Sequence, residues 1–161
     1  MTFTIPRELE AELDELATRY PQKRSASLMF LHALQERFGY VSKEAVEWTA
    51  AKLGVQPIHV WELVTFYPMF RQEPAGRHQL KVCRTLSCAL GGSHKLYRHF
   101  CDRLGLDPNK HGLQTTKDGK FSVEFVECLA SCGTAPVMMR NEEFHEGVSC
   151  EQADALLARC S

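Results

Sequence analysis

Four of the seven cysteines in this chain of 161 residues are spaced so that they could act together. Cys83 and Cys88 form a C-x4-C pair, and Cys128 and Cys132 form a C-x3-C pair. An odd number of cysteines cannot pair completely into disulfides, and a reducing cytosol disfavours disulfides in any case. Because a binuclear iron–sulfur cluster requires four protein ligands, usually thiolates, we predict one 2Fe-2S cluster held by these four residues.

Other kinds of cysteine site fit this spacing less well. Structural zinc favours C-x2-C knuckles and a thioredoxin-like dithiol also needs C-x2-C, but the chain contains no such motif. A Rieske centre replaces two cysteines by histidines, and the sequence has no Cys-x-His element. The least favoured alternative is a zinc-stabilised adaptor without a redox role, which would be a colourless protein containing zinc.

The other three cysteines are predicted to be structural. Cys101 and Cys160 fall on the apolar faces of predicted helices, where a free cysteine behaves as a small buried hydrophobe. Cys150 opens the last predicted helix, and nothing else in the pattern supports it as a ligand. The seven histidines are scattered without ligand spacing.

Glycines next to the paired cysteines suggest close approach of the backbone. A Gly-Gly pair follows the first cysteine pair at 91–92, and Gly133 follows the second. We expect these glycines to let backbone amides reach the sulfurs without obstruction by a side chain. Such amide donors stabilise the reduced, more negative cluster.

The first part of the chain, residues 1–72, is predicted to be an all-helical bundle. Leucines recur at helical spacing in two segments, the second of which ends at Gly39. Ser42 is predicted to cap a third helix that stops at Gly54, and Pro57 to open a fourth.

A polar stretch containing Pro and Gly, residues 71–77, is predicted to mark the domain boundary, so the second domain spans 73–161. Its elements suggest a small α/β sandwich of thioredoxin type, which makes the whole chain α+β. Ser149 and Gln152 form a capping box that starts the last helix, predicted to bury Leu156 and Leu157. The other predicted elements are strands at 79–83, 113–116, 121–126, 136–140 and 144–146 and a helix at 93–104.

Composition excludes several classes of partner. The net charge is −1, so no strong field gathers nucleic acid or anionic lipid. The apolar runs are short and the N-terminus lacks the pattern of a signal peptide. We therefore expect a soluble, cytoplasmic protein that does not bind nucleic acid and does not insert directly into a membrane.

The sequence resembles the 2Fe-2S subunit of respiratory NADH:quinone oxidoreductase (complex I), the E subunit of the bacterial enzyme, which is a thioredoxin-like 2Fe-2S ferredoxin. The resemblance runs almost end to end. It rests on GYVS at 39–42, TFY at 65–67 with Phe70, Val82-Cys83 with Cys88, and ECLASCGTAPVMM at 127–139. One departure is Ala130-Ser131, where a Gly-Ala pair is common.

This resemblance implies a helical bundle followed by a thioredoxin-like ferredoxin domain, with Cys83, Cys88, Cys128 and Cys132 as cluster ligands. It also implies a non-catalytic electron-transfer subunit that packs against a larger subunit binding FMN and NADH, alongside other subunits of the peripheral arm. No hydride chemistry is expected on this chain, because it has neither a G-x-G-x-x-G fingerprint nor a Walker-type loop. When assembled, it would lie on the cytoplasmic face of the inner membrane.

Two alternatives remain open at this point. Subunits of NAD-dependent formate dehydrogenases and of hydrogenases share the fold and the cysteine spacing, and neighbouring genes or co-purifying subunits would separate them. A free-standing thioredoxin-like ferredoxin would form its own dimer, but the N-terminal helices argue against it.

Overall fold

The computed structural model describes residues 3–160 and divides the chain into two compact units, Met1–Pro74 and Ala75–Ser161. This division lies inside the polar stretch 71–77. Along the described residues, no helix combines the length and apolar character needed to cross a membrane.

Over its described residues, 3–74, the first unit contains four α-helices, as predicted. They are α1 Arg7–Thr18, α2 Ser27–Phe38, α3 Lys43–Leu53 and α4 Pro57–Phe66, and a short 3₁₀ turn at Lys23–Ala26 precedes α2. The helices share one core that includes Phe30, Leu31, Leu34, Val46 and Val60, all fully buried.

The ends of these helices are set by local signals in the sequence. Gly39 and Gly54 follow α2 and α3 in the left-handed conformation, with φ of 84° and 69°, which a glycine adopts without steric cost. The Ser42 side chain accepts a hydrogen bond from the Ala45 amide and caps α3, and Pro57 occupies the first turn of α4. These four predictions are confirmed.

The second unit contains a mixed five-stranded sheet with strand order β2-β3-β1-β4-β5. Its two long strands, β1 and β3, are parallel neighbours in which Cys83 lies opposite Val126, and the other pairings are antiparallel. Together with the helices, this sheet confirms the predicted α+β class. The strands are β1 His78–Cys83, β2 Gln114–Thr115, β3 Phe121–Val126, β4 Met138–Arg140 and β5 Glu143–His145.

Between residues 75 and 160, three α-helices accompany the sheet. They are α5 Leu86–Leu90, which the sequence pattern did not predict, α6 Ser93–Leu104 and α7 Cys150–Ala158. The predicted capping box of α7 is present, with both hydrogen bonds between Ser149 and Gln152 formed. Of its predicted core residues, Leu156 is buried but Leu157 is only partly buried.

Candidate metal centre

The four predicted ligand cysteines lie on three short segments at one edge of the sheet. Cys83 is the last residue of β1 and Cys88 lies in α5, whereas Cys128 and Cys132 lie between β3 and β4. A 3₁₀ turn, Cys132–Thr134, contacts α5. Because β1 and β3 are parallel and end side by side, the segments that follow them leave the sheet at the same edge.

The surroundings of the sulfurs show that the two pairs lie in the same region. The thiols of Cys83 and Cys88 are hydrogen-bonded to each other, and the backbone of Leu129 is hydrogen-bonded to the sulfur of Cys83. Cys132 lies close enough to Cys88 to act on its pKa electrostatically. The structure therefore brings the two cysteine pairs, 40 residues apart in sequence, into one region.

The pairs differ in exposure. Cys83 and Cys88 are 1% and 2% exposed and pack with Val137, Leu129 and Ala135, whereas Cys128 and Cys132 are exposed. Over residues 3–160, no three His, Cys, Asp or Glu side chains are drawn together tightly enough to form a metal site. The donor set itself is four thiols, three of which have hydrogen bonds with backbone groups, and it fits a cluster bound through thiolates.

The surroundings of Cys83 favour its thiolate form. Burial acts to raise its pKa, but hydrogen bonds from the side chain and backbone of Thr85 and from Leu129 outweigh burial, so the pKa lies below its ordinary value. The Thr85 hydroxyl lies 3.3 Å from Cys83 Sγ. Anionic sulfur is the form that ligates iron, so this environment favours the ligating form of Cys83.

Cys88 has the opposite tendency. Burial raises its pKa and the neighbouring Cys83 adds to that effect, although a hydrogen bond with the backbone of Val137 opposes them. The two thiols thus form a donor–acceptor pair in which Cys83 ionises first.

The segment between Cys128 and Cys132 contains a residue in an unfavourable backbone conformation. Ala130 has a φ of +63°, in the left-handed region that a glycine enters freely and an alanine does not. Its amide donates a 3.3 Å hydrogen bond to Cys128 Sγ. The departure noted in the sequence, alanine where glycine is common, therefore falls at the position where the backbone would favour glycine.

Glu146, which directly follows β5, is hydrogen-bonded to the segment that contains Cys128 and Cys132. The sequence pattern did not indicate this contact. The hydroxyls of Ser131 and Thr134 both donate hydrogen bonds to its carboxylate, the latter at 2.6 Å. The Gly147 amide donates to the Thr134 carbonyl at 2.7 Å. Hydrogen bonds from these two hydroxyls hold the pKa of Glu146 below its ordinary value. No sequence spacing relates residue 146 to the cysteines, so only the fold reveals it.

Gly91 and Gly133 differ in the space available to a side chain. A Cβ on Gly91 would lie 2.9 Å from the Ala135 Cβ and 3.1 Å from the Ala135 carbonyl carbon, so Gly91 permits close packing of α5 against the second cysteine segment. Around Gly133 nothing lies within 4 Å of such a Cβ. The expectation that Gly133 is needed for close approach was wrong, and the backbone groups at the sulfurs come from elsewhere: Thr85, Leu129, Ala130 and Val137.

The remaining cysteines lie outside this region. Cys101 and Cys160 are buried in the core of the second unit, which confirms their predicted packing role. Burial raises the pKa of the Cys101 thiol. Cys150 is half-buried at the first position of α7.

Comparison with known families gives a match over nearly the whole chain. The profile of the family described as "Thioredoxin-like [2Fe-2S] ferredoxin" matches residues 13–161.

Individual relatives are similar over most of their own length. The second E-type subunit of the NADH-quinone oxidoreductase of Rhizobium meliloti is 38% identical over 149 residues, covering 92% of this chain and 86% of the relative. The E-type subunit of the Aquifex aeolicus NADH-quinone oxidoreductase is 35% identical, covering 98% of this chain and 96% of the relative. The NADP-reducing hydrogenase subunit HndA of Solidesulfovibrio fructosivorans is 29% identical, and the match covers 96% of this chain and 88% of the relative.

One solved structure shares the fold at low sequence identity. The described fold of this chain matches a chain of the air-oxidised NAD⁺-reducing [NiFe]-hydrogenase with a TM-score of 0.66 and a sequence identity of 21%. The match covers 81% of this chain and 22% of that one.

The two glycines near the cysteines give a matched pair of variants. We expect Gly91→Ala to lower thermal stability and cluster content, because the new methyl group meets the Ala135 backbone, whereas Gly133→Ala has open space and should retain both. Thermal unfolding and iron content of the two variants check this. Equal behaviour of the two variants would contradict the assigned packing role of Gly91.

The carboxylate of Glu146 should titrate below its ordinary value of about 4.3. A lowered pKa means that its contribution to stability is present above the unfolded-state value and is lost as pH falls through the folded-state value. Carbon-13 NMR titration of Glu146 measures this directly. In Ser131→Ala the pKa should move back towards the ordinary value, and an unchanged pKa would show that the Ser131 hydroxyl does not hold the carboxylate.

Proposed function

We propose an electron-transfer role for this chain, because it belongs to the thioredoxin-like [2Fe-2S] ferredoxin family. In this proposal it is the electron-transfer subunit of an NADH:quinone oxidoreductase and carries one 2Fe-2S cluster. The observation that carries it is the meeting of two cysteine pairs at the edge where β1 and β3 end. The proposed ligands are Cys83, Cys88, Cys128 and Cys132.

When bound, a 2Fe-2S cluster accepts and returns single electrons, which suits exchange with the FMN of a partner subunit that oxidises NADH. The proposed ligands would hold the cluster from two sides. Cys83 and Cys88 are buried and packed against Val137, so they would hold the side of the cluster that faces the protein core and exclude water from it. Hydrogen bonds to the sulfurs from backbone groups such as that of Leu129 offset negative charge.

Apolar side chains beside the site support a docking role. Leu86 and Leu90 lie one turn apart on α5, on either side of Cys88, and are 76% and 82% exposed. The neighbouring Cys128 and Cys132 are also exposed. Exposed leucines of this size favour burial against another protein. We assign this surface, Leu86 and Leu90 with the second cysteine segment, to contact with the FMN-binding subunit.

The helical unit also carries exposed apolar side chains. Ile58 and Phe66 on α4 and Met69 just after it are 55%, 76% and 48% exposed. We assign this unit to contacts with other subunits of the peripheral arm, which would place the chain on the cytoplasmic face of the inner membrane without direct insertion.

The related alternative is the equivalent subunit of a hydrogenase or an NAD-dependent formate dehydrogenase. Similarity to the HndA hydrogenase subunit favours keeping the hydrogenase form of this alternative. Affinity purification of the tagged chain distinguishes these three assemblies by the proteins recovered with it. Complex I subunits would indicate the NADH:quinone oxidoreductase, a hydrogenase large subunit would indicate a hydrogenase, and a formate dehydrogenase would indicate the third assembly. Recovery of only a homodimer would favour a free-standing ferredoxin.

Substitution of the proposed ligands tests the cluster. Cys83→Ser and Cys128→Ser should each abolish or strongly reduce the visible absorption and the content of about two irons per chain in anaerobically purified protein, because each removes one of four thiolates. Cys150→Ser is the matched control and should retain both. Retention of a normal cluster by Cys83→Ser and Cys128→Ser would refute the ligand assignment.

The docking surface predicts a separate effect. Leu86→Ser with Leu90→Ser should weaken binding to the co-expressed FMN-containing subunit at least tenfold, since burying one leucine contributes about 1.5–3 kcal/mol. Surface plasmon resonance measures the affinity. The iron content of the variant should stay unchanged, which separates a docking defect from cluster loss. Unaltered affinity would exclude these leucines from the interface.

A further inference from the structure

A cleft in the second unit is not explained by the proposed function. Its volume is about 550 Å³, within the usual range for small-ligand cavities. Its walls are formed by α6, the segment 108–112 and the ends of β1 and β3. None of the residues that line it is an aspartate or a glutamate.

Three basic side chains of the arginine and lysine type line this cleft. They are Arg84, Arg98 and Lys110. Arg84 makes a 3.5 Å ion pair with Glu127, but the side chains of Arg98 and Lys110 have no acidic partner within residues 3–160. In a chain of net charge −1, this is a local concentration of positive charge. A concave surface lined by one sign of charge focuses the field and raises the local concentration of anions.

The position of the cleft in the sheet is typical of a ligand site. In α/β sheets, ligands bind in the crevice outside the carboxyl ends of the parallel strands. Here β1 and β3 are parallel, Phe125 lies opposite Val82 near their carboxyl ends, and Arg84 directly follows β1. Both Phe125 and Arg84 line the cleft. The topology and the charge therefore point to the same place.

The floor of the cleft is held in place by aromatic contacts. The rings of Phe125 and Tyr97 are stacked at 4.5 Å, and His94 meets Phe125 edge-on at 5.0 Å. The Tyr97 hydroxyl accepts a 3.1 Å hydrogen bond from Gln114 and donates one of 3.3 Å to the Lys110 carbonyl. These contacts fix the backbone at Lys110, so the cleft is formed before any ligand binds.

We propose that this cleft binds a phosphate-bearing anion through Arg84, Arg98 and Lys110. Arginine side chains present planar, bidentate donors that match phosphate oxygens, and the three cations together suit a doubly charged group. The phosphate is either free inorganic phosphate or the phosphate of a mononucleotide. The base of a mononucleotide would contact the aromatic floor of the cleft. This site goes beyond the electron-transfer role, and it lies beside the proposed cluster site because Arg84 directly follows Cys83.

Calorimetric titration of the full chain with inorganic phosphate and, separately, with AMP tests the proposal at low ionic strength. We expect saturable binding of at least one probe, weakened by added salt because the contacts are ionic. The double variant Arg98→Gln with Lys110→Gln should bind at least tenfold more weakly. Arg103→Gln is the matched control, since Arg103 lies on the same helix but pairs with Asp154, and its affinity should match that of the unaltered chain.

The outcomes separate the possible ligands. Equal affinity for the two probes assigns the site to the phosphate group alone, whereas tighter binding of AMP assigns it to a mononucleotide. Absence of saturable binding of both probes, or equal binding by the double variant and Arg103→Gln, overturns the proposal. Binding of an acidic peptide by a chain that binds neither probe would also overturn it, and would assign the cleft to a protein partner.

Discussion

The parallel pairing of β1 with β3 is the constraint on which the site depends. It places Cys83 opposite Val126, two residues before Cys128, so the two cysteine-bearing segments leave the sheet at one edge. Parallel neighbours need a crossover connection, and the chain between them contains α5, α6 and β2. Cys83 ends β1 and Cys88 lies at the start of the crossover, whereas Cys128 and Cys132 follow β3. A change in the register between β1 and β3 would therefore move the two cysteine pairs apart.

Around this edge the two pairs have different surroundings. Cys83 and Cys88 are buried among apolar side chains, with hydrogen bonds that lower the pKa of Cys83, whereas Cys128 and Cys132 face outward. The outer segment is held by Glu146 through Ser131 and Thr134, and Ala130 is kept in a left-handed conformation there. A protected inner side and an exposed outer side suit a centre that exchanges electrons with a docked partner.

Much of the fold could be predicted because its signals are local. Gly39, Gly54 and the capping box at Ser149 each fix a helix end through their own backbone or nearest neighbours. By contrast, α5 was missed because five residues are too few to show a period. Contacts such as Glu146 with Ser131 and Gly91 with Ala135 arise only from tertiary packing, so no spacing in the sequence indicates them.

The most direct test of the central claim is the metal and sulfide content of the unaltered chain purified anaerobically, with low-temperature EPR before and after dithionite. About two irons and two acid-labile sulfides per chain, with an EPR signal that appears on reduction, are the predicted result. About one zinc per chain, no labile sulfide and no reducible chromophore would contradict the account and leave a structural adaptor in its place.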